Sequence, residues 1–185
     1  MLPLPSVVTG PQVQDILIRD ASESDAEAIA AIYAHHVLTG TASYDTEPPS
    51  AVFHRDKIRR IGESGWPFLV AESGGQVVGY AYATQFRDRA AYRFTCEDSI
   101  YVHPEHLHRG IGRTLLRALL DRCAGFGFRT IIAVIGGAEP ASIALHQSCG
   151  FEEAGCLQGV GFKFGRWLDS IYMQRELAGK GTSIE

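Results

Sequence analysis

The chain has 185 residues, of which 45% are hydrophobic and 21% are charged, with a formal net charge of −4 at pH 7. This length suits one domain with its own buried core, and the composition is that of an ordinary globular protein. A net acidic chain lacks the basic excess of general nucleic-acid binders, and no apolar run approaches the roughly 20 residues that span a bilayer.

Both ends of the chain differ from its middle. Residues 1–14 carry three prolines and are predicted to be a flexible leader, not a signal peptide, because no basic segment precedes an apolar one. Residues 179–185 are mostly polar and are predicted to be a flexible tail, so that a single domain covers residues 15–178. The four cysteines show no Cys-x-x-Cys spacing, which favours free thiols in the cytoplasm.

The first half of the chain predicts two helices and several strands. A short apolar run at 15–19 predicts a strand, and Ser22 and Ser24 are candidate N-caps for the first helix. A second helix is predicted over 51–63, where Phe53, Lys57, Ile58 and Ile61 recur at helical spacing. Three further strands, the first two joined by a Ser-Gly-Gly hairpin turn, are predicted over 66–72, 76–84 and 94–102.

The second half begins with a change of period at Gly110. Apolar residues then follow at helical spacing, at Ile111, Leu115, Leu116, Leu119 and Cys123. An apolar strand is predicted at 130–135, a short helix opening at Pro140, and closing strands at 151–160 and 167–177. The predicted order is βααβββαβαββ, an α+β chain with a mixed central sheet.

Residues 99–113 carry the strongest chemical signal. They predict a strand and a tight turn, followed by Gly110 and Gly112 at the start of a helix. Glycines let backbone N–H groups approach a ligand closely, and a helix N-terminus favours an anion such as phosphate. The segment is not a Walker loop, because no Gly-Lys-Ser/Thr follows, and Leu115 stands where a dinucleotide-binding fingerprint needs a third glycine.

The segment resembles motif A of the GNAT acetyltransferases, the pyrophosphate-binding motif Q/R-x-x-G-x-G/A. Further segments resemble the phosphinothricin and methionine sulfoximine N-acetyltransferase branch, at 42–49, 97–102, 133–136, 146–151 and 161–167. Two positions depart from the family, Leu107 at the start of motif A and Glu139 in place of an asparagine that contacts the cofactor. The resemblance implies the GNAT fold, acetyl-CoA as co-substrate, and acetyl transfer to the amino group of a small amino-acid-like substrate.

The resemblance also implies a general base at Glu97 and a second catalytic group at His146. An amine attacks a thioester only when neutral, so a proton acceptor is needed at pH 7. Glu97 and Asp98 are expected on opposite faces of their strand, with only one facing the substrate. His146 stands where many GNAT members have a tyrosine that protonates the leaving thiolate, and it is expected to act as acid or to assist the base. A solvent-facing charge at Glu97 and local packing at His146 remain alternatives.

The other site residues are implied by the same resemblance. Substrate contacts are expected from Tyr44, Arg87, Asp88, Arg89, Glu97, Asp98 and Ser99. The two arginines of this group would hold an anionic end of the substrate. Acetyl-CoA contacts are expected from Ile100, Tyr101, Val102, His108, Arg109, Gly110, Ile111, Gly112, Arg113, Glu139 and Ser142. Backbone N–H groups of 100–102 would stabilise the oxyanion. No metal site is expected, because a cluster of turn histidines without acids that orient the rings, here at 103, 106 and 108, is usually not a metal site.

The expected partners are a small-molecule amine and a second copy of the chain, with no nucleic acid and no membrane. Relatives of this branch dimerise, and two-fold dimers are the commonest oligomers. Phe162, Phe164 and Trp167 are interface anchors, core residues or substrate-pocket residues. Two other functions stay open. One is a protein or peptide N-acetyltransferase, which needs an open groove; the other is a non-catalytic acyl-CoA-binding module, against which the presence of Glu97 and His146 argues.

Overall fold

The computed structural model describes residues 16–177, so the predicted leader and tail lie outside the described residues and the domain limits remain predictions. The helices are α1 (Ala26–Thr39), α2 (Ala51–Glu63), α3 (Ile111–Phe126) and α4 (Pro140–Ser148). The strands are β1 (Leu17–Asp20), β2 (Phe68–Ser73), β3 (Gln76–Gln85), β4 (Thr95–Val102), β5 (Thr130–Gly136), β6 (Glu152–Lys163) and β7 (Arg166–Glu176). Their order along the chain is the one predicted. Among residues 16–177, no helix combines the length and the apolar character that crossing a membrane requires.

The seven strands form one mixed sheet in the order β1-β2-β3-β4-β5-β7-β6. Neighbouring strands are antiparallel except β4 and β5, which are parallel. This parallel pairing joins only 95–98 to 130–133. Beyond it, β4 stays paired with β3 up to Val102, and β5 stays paired with β7 up to Gly136. The two central strands therefore separate halfway along and leave a wedge-shaped opening in the middle of the sheet.

Helices cover both faces of this sheet. On one face lies α3, and its predicted apolar stripe is buried, with at most 1% exposure at Ile111, Leu115, Leu116, Leu119 and Cys123. On the other face, α1 and α2 pack over Phe68, Val70 and Tyr80. Successive residues of a strand point to opposite faces, so each central strand contributes to both cores.

The face of each β4 side chain follows from this alternation. Tyr101 lies beside Tyr80 of the α1/α2 core, whereas Cys96 belongs to the α3 core. Side chains at positions 97, 99 and 101 therefore face α1 and α2, and those at 96, 98, 100 and 102 face α3 and α4. The prediction that Glu97 and Asp98 point to opposite faces is confirmed.

Several boundaries differ from the predicted ones by one to three residues, and two of the differences have a clear local cause. The strand predicted to begin at Trp66 begins at Phe68, because the Trp66 N–H donates to Ile61 O in the end of α2, over 3.1 Å, and Pro67 has no N–H. A 3-10 turn at Glu23–Asp25 precedes the first helix, so α1 begins at Ala26, later than the candidate caps Ser22 and Ser24 predict. Neither difference affects the central strands that carry the predicted catalytic residues.

Candidate active site

A cleft of about 330 Å³ opens where β4 and β5 separate. The two strands, the loop between α1 and α2, and the beginning of α4 form its walls. It is lined by Tyr33, Ala42, Ser43, Tyr44, Asp45, Tyr82, Glu97, Asp98, Ser99, Ile100, Tyr101, Ala133, Val134, Ile135, Gly136, Glu139, Ser142, His146 and Ser170. The cleft therefore brings together both predicted catalytic residues and several of the predicted substrate and cofactor contacts.

The backbone of β4 offers polar groups to this cleft. The N–H of His103, just after the strand, donates to Val78 O over 2.9 Å, which shows that this residue turns toward β3. The antiparallel ladder alternates, so odd-numbered residues of β4 bond to β3 and even-numbered residues turn the other way. Ile100 and Val102 therefore point their N–H groups into the cleft, past the last pairing with β5. By the same alternation the N–H of Tyr101 faces β3, so the proposed oxyanion contacts narrow to Ile100 and Val102.

Glu97 stands on the α1/α2 face of β4 and is half-buried. Its side chain is 33% exposed, and Oε2 lies 3.8 Å from Nη1 of Arg87. Burial raises the pKa of Glu97, the charge of Arg87 lowers it, and the charge of Asp98 raises it, so the pKa lies above its ordinary value. A carboxylate that is both desolvated and open to the cleft is a better proton acceptor than an ordinary surface carboxylate.

Asp98 and His146 form a buried pair on the opposite face. Nε2 of His146 lies 3.0 Å from Oδ2 of Asp98, and the two side chains are 3% and 1% exposed. Nδ1 of His146 lies 2.7 Å from the carbonyl oxygen of Ser142. An ionised carboxylate and a carbonyl are both acceptors, so both ring nitrogens have to donate. The geometry therefore favours the imidazolium form of His146.

The environment of His146 holds its proton. Burial alone would lower the pKa of His146, but the hydrogen bond and charge of Asp98, together with the Ser142 carbonyl, raise it above its ordinary value. The second carboxylate oxygen of Asp98 is buried and has no hydrogen-bond partner among the described residues. Asp98, predicted to contact the substrate, is thus placed to hold His146 in its protonated form.

The side chain of Lys163, the last residue of β6, holds the loop between α1 and α2 in place. Its ammonium, on a residue only 4% exposed, donates to the carbonyl oxygens of Gly40, over 3.0 Å, and Ser43, over 2.7 Å. Burial lowers the pKa of Lys163, and the charge of Asp45 opposes that effect. A buried ammonium needs such acceptors in place of water, so the pair of bonds fixes the course of the loop. Lys163 is not among the predicted site residues, although its period-2 spacing from Gly161 places it on the inner face of β6.

Tyr44, predicted to bind substrate, is locked in place at the same end of the cleft. A Cβ atom at Gly136 or Gly161 would come within 2.8 or 2.6 Å of its ring, so only glycine leaves room for the ring there. The Tyr44 hydroxyl donates to Asp169 O over 2.6 Å and accepts from the Gly137 N–H over 3.0 Å. Tyr44 therefore presents its ring to the cleft, while its hydroxyl is engaged within the protein.

The predicted anion-binding loop lies between β3 and β4. The guanidinium of Arg87 stacks on the ring of Phe86, 4.0 Å from its centre, and reaches toward Glu97. Arg87, Asp88 and Arg89 are all exposed, and none of them lines the cleft. Of the three, only Arg87 pairs with the candidate base.

The predicted cofactor turn, residues 107–113, follows the end of β4 and lies outside this cleft. Gly110 has a φ of 79° and caps α3, whose first hydrogen bond runs from Thr114 N–H to Gly110 O over 3.0 Å. The N–H groups of 111–113 precede this bond, and a Cβ atom at Gly110 would meet no atom within 4 Å. An open turn whose N–H groups precede the first hydrogen bond of the helix fits the pyrophosphate of coenzyme A.

Other predicted cofactor contacts have separate roles in packing. The side chain of Ile111 is buried in the α3 core, so only its backbone is available to a ligand. A Cβ atom at Gly112 would lie 3.3 Å from Cδ2 of Leu145, so this glycine lets α3 approach α4. His108, Arg109 and Arg113 are exposed around the turn, whereas Glu139 and Ser142 line the cleft from the first residues of α4.

The model of the family described as "Acetyltransferase (GNAT) family" matches residues 29–151. The chain belongs to the GNAT acetyltransferase family. Among its relatives, a phosphinothricin N-acetyltransferase from Alcaligenes faecalis is 49% identical over 168 residues, which cover 90% of this chain and 85% of that protein. An L-methionine sulfoximine/L-methionine sulfone acetyltransferase from Salmonella typhimurium is 39% identical over 165 residues, 86% of this chain and 94% of that protein.

Solved GNAT structures share the fold. The crystal structure of a GNAT superfamily phosphinothricin acetyltransferase from Sinorhizobium meliloti, in complex with AcCoA, matches with a TM-score of 0.88 and 49% sequence identity. The match covers 92% of both chains. The predicted GNAT fold and the predicted class of enzyme, an acetyltransferase that uses acetyl-CoA as co-substrate, are confirmed.

Proposed function

We propose that this GNAT enzyme transfers the acetyl group of acetyl-CoA to the amino group of a small amino acid, with Glu97 as the general base. The observation that carries the proposal is the pair of opposite charges, Glu97 and Arg87, 3.8 Å apart beside the cleft. An α-amino acid carries an ammonium and a carboxylate close together, so its two charges match this pair. Arg89, on the same loop, is the second proposed contact for the carboxylate. The names of the two relatives above support substrates of this kind.

The two substrates are proposed to meet from opposite faces of the sheet. The amino acid lies on the α1/α2 face, where Glu97 and Ser99 point. Acetyl-CoA lies on the α3/α4 face, with its pyrophosphate at the N-terminus of α3, and when bound it supplies the acetyl thioester. The loop held by Lys163 closes one side of the cleft, which favours a small amine over a peptide.

Three groups of this chain would then move or stabilise charge. Glu97 takes a proton from the substrate ammonium, directly or through water, so that the nitrogen lone pair becomes available. The N–H of Ile100, which points into the cleft, stabilises the negative charge that develops on the thioester oxygen. His146, held as an imidazolium by Asp98, is the proposed source of the proton for the departing thiolate, and the N–H that is transferred has to leave its acceptor, Asp98 or the Ser142 carbonyl.

If Arg87 binds the substrate carboxylate, removing either charge should weaken substrate binding. Esterifying the carboxylate of a good amino-acid substrate should raise KM about 10-fold or more and lower kcat little, because the lost contact exists in ground and transition states alike. Arg87→Met should have the same effect, and the two changes together should be less than additive, since they remove one interaction. Thiol release from acetyl-CoA measures both parameters.

The matched control for this test is Arg93→Met, which removes an exposed arginine of the same loop. Its guanidinium lies over the ring of Phe94, 4.4 Å from the centre, and pairs with no carboxylate of the described residues, whereas Arg87 pairs with Glu97. KM should be unchanged in this variant. Simple alkylamines that turn over as well as amino acids would contradict the proposed carboxylate site and indicate a general amine acetyltransferase.

We also propose that the enzyme is a homodimer built on the β6–β7 hairpin. Strand β6 lies at the edge of the sheet, and the hairpin exposes Phe162 by 58%, Phe164 by 57% and Trp167 by 70%. The rings of Phe162 and Trp167 lie 5.1 Å apart and line no part of the cleft. Of the three roles expected for these residues, a place in the core is contradicted by their exposure. Contiguous exposed aromatic rings at a sheet edge favour a partner, here a second copy of the chain.

Sedimentation at micromolar concentration should give twice the 20.2 kDa mass of one chain. Trp167→Ser should shift the protein toward the monomer, because it removes the most exposed of the three rings. Leu17→Ser is the matched control, since Leu17 is 56% exposed on β1, at the opposite edge of the sheet. A monomeric mass for the unsubstituted protein would refute the dimer.

The cysteines support a proposal on location. Cys96, Cys123 and Cys149 are buried and Cys156 is exposed, and all four are free thiols. Free thiols persist in a reducing compartment. We therefore propose that the enzyme works in the cytoplasm.

A further inference from the structure

Lys57 of α2 reaches the wall of the cleft and ends on Tyr82. Its Nζ lies 2.6 Å from the Tyr82 hydroxyl oxygen and 4.3 Å from the centre of that ring. An ammonium only donates, so the hydroxyl accepts this bond and keeps its own proton for another partner. No carboxylate of the described residues lies within 4.0 Å of Nζ. The pair therefore offers hydrogen-bond donors and a positive charge that no acidic side chain of residues 16–177 neutralises.

The position of this pair relative to the proposed base gives it a role. Tyr82 lies opposite Ser99, two positions along β4 from Glu97 and on the same face of the sheet. Two strand residues span roughly 7 Å. Arg87 lies past the other end of this row, just after β3 ends. Along this face the order is therefore Arg87, then Glu97, then Tyr82 with Lys57.

We propose that Lys57 and Tyr82 select substrates whose side chain ends in an oxygen-bearing sulfur or phosphorus centre. The inference rests on the proposed function. With the carboxylate at Arg87 and the amine at Glu97, the side chain of an amino acid extends along the row toward the pair. Tyr82 donates its hydroxyl proton to the terminal oxygen, and Lys57 donates one of its remaining protons to the same group. Two donors, one of them charged, favour an acceptor oxygen over a thioether, which accepts only weakly.

A role of Lys57 in packing alone would have different consequences. Its side chain also approaches the ring of Phe53, with Nζ 5.8 Å from the ring centre. Methionine keeps most of the aliphatic length and removes the charge, so Lys57→Met tests the charge with little loss of packing. Tyr82→Phe likewise keeps the ring, which is part of the aromatic contacts with Phe68 and Tyr80.

The test uses two substrates with one carbon skeleton, methionine sulfone and methionine. In Lys57→Met, kcat/KM for the sulfone should fall about 10-fold or more, because a charge-assisted hydrogen bond is lost. For methionine, kcat/KM should stay within about two-fold. Tyr82→Phe should show the same preference, and the double variant should lose less than the product of the single losses. Arg60→Met, which removes an exposed positive charge from the same helix, should change neither substrate.

Two outcomes overturn the inference: an unchanged kcat/KM for the sulfone in Lys57→Met, or an equal loss for both substrates. Calorimetry with acetyl-CoA and the Tm of each variant show whether the site and the fold are intact. A Tm that falls together with both activities would assign Lys57 to packing. The proposed function fails in a different way, when the unsubstituted enzyme acetylates neither amino acid.

Discussion

Glu97→Gln is expected to lower kcat by roughly 10²–10⁴-fold, the usual contribution of a positioned general base. Glutamine keeps the shape of the side chain but cannot accept the substrate proton. Acetyl-CoA affinity should change little, because Glu97 faces α1 and α2 whereas the cofactor turn lies at the start of α3. Thiol release measures the first effect, and calorimetry with acetyl-CoA measures the second.

The pH dependence gives this prediction a second readout. Burial, opposed by the charge of Arg87, holds the pKa of Glu97 above its ordinary value. Only the ionised form accepts a proton, so kcat/KM of the unsubstituted enzyme should fall as the pH drops through that raised pKa, and this acidic limb should vanish in Glu97→Gln. Glu152→Gln, which changes an exposed carboxylate at the start of β6, is the control. Near-normal turnover of Glu97→Gln at pH 7 would transfer the role to His146, Asp98 or bulk water.

Gly110→Val is expected to raise the Kd of acetyl-CoA at least about 100-fold, because several hydrogen bonds to an anion are lost together. Calorimetry measures this loss of affinity. The backbone at Gly110 has a φ of 79°, and the space that a Cβ atom would enter is open. A branched side chain there would occupy the approach of a phosphate to the N-terminus of α3. Gly112→Val is less informative, because its Cβ would also press on Leu145 and disturb the packing of α3 on α4.

Gly75→Val is the matched control for backbone strain. Gly75 lies in the hairpin turn between β2 and β3, has a φ of 80°, and also has no atom within 4 Å of its Cβ position. Both variants should lose similar stability on heating, since both force valine into the left-handed region. Only Gly110→Val should lose the ligand. Unchanged acetyl-CoA affinity in a folded Gly110→Val protein would discard the pyrophosphate assignment.

Local patterns were sufficient for much of the fold. The limits of α2 match the predicted 51–63, because Ser50 caps the helix by accepting from the Phe53 N–H and apolar residues recur with the helical period. The stripe of α3 is buried as predicted, because a helix with one apolar face has to cover a sheet. The opposite orientation of Glu97 and Asp98 follows from the strand period alone.

Local patterns could not predict contacts between residues that are far apart along the chain. His146 meets Asp98 across 48 positions, and Lys163 meets Ser43 across 120. Both contacts depend on which strands become neighbours and on where β4 and β5 separate, and neither is a property of any local segment. Lys57 appears in the helical pattern of α2 as one polar residue within an apolar stripe. Its link to the cleft is the hydrogen bond to Tyr82, whose position depends on the register of β3 with β4.

The separation of β4 and β5 also affects the order in which the enzyme binds its two substrates. In the proposed arrangement the amino acid reaches the opening from one face and acetyl-CoA from the other, so neither molecule blocks the entrance of the other. Either can therefore bind first, and the acetyl group passes directly between them inside a ternary complex. Double-reciprocal plots at several fixed concentrations of one substrate are then expected to intersect. Parallel lines would instead indicate an acetylated enzyme intermediate, which direct transfer between two molecules bound in one opening does not require.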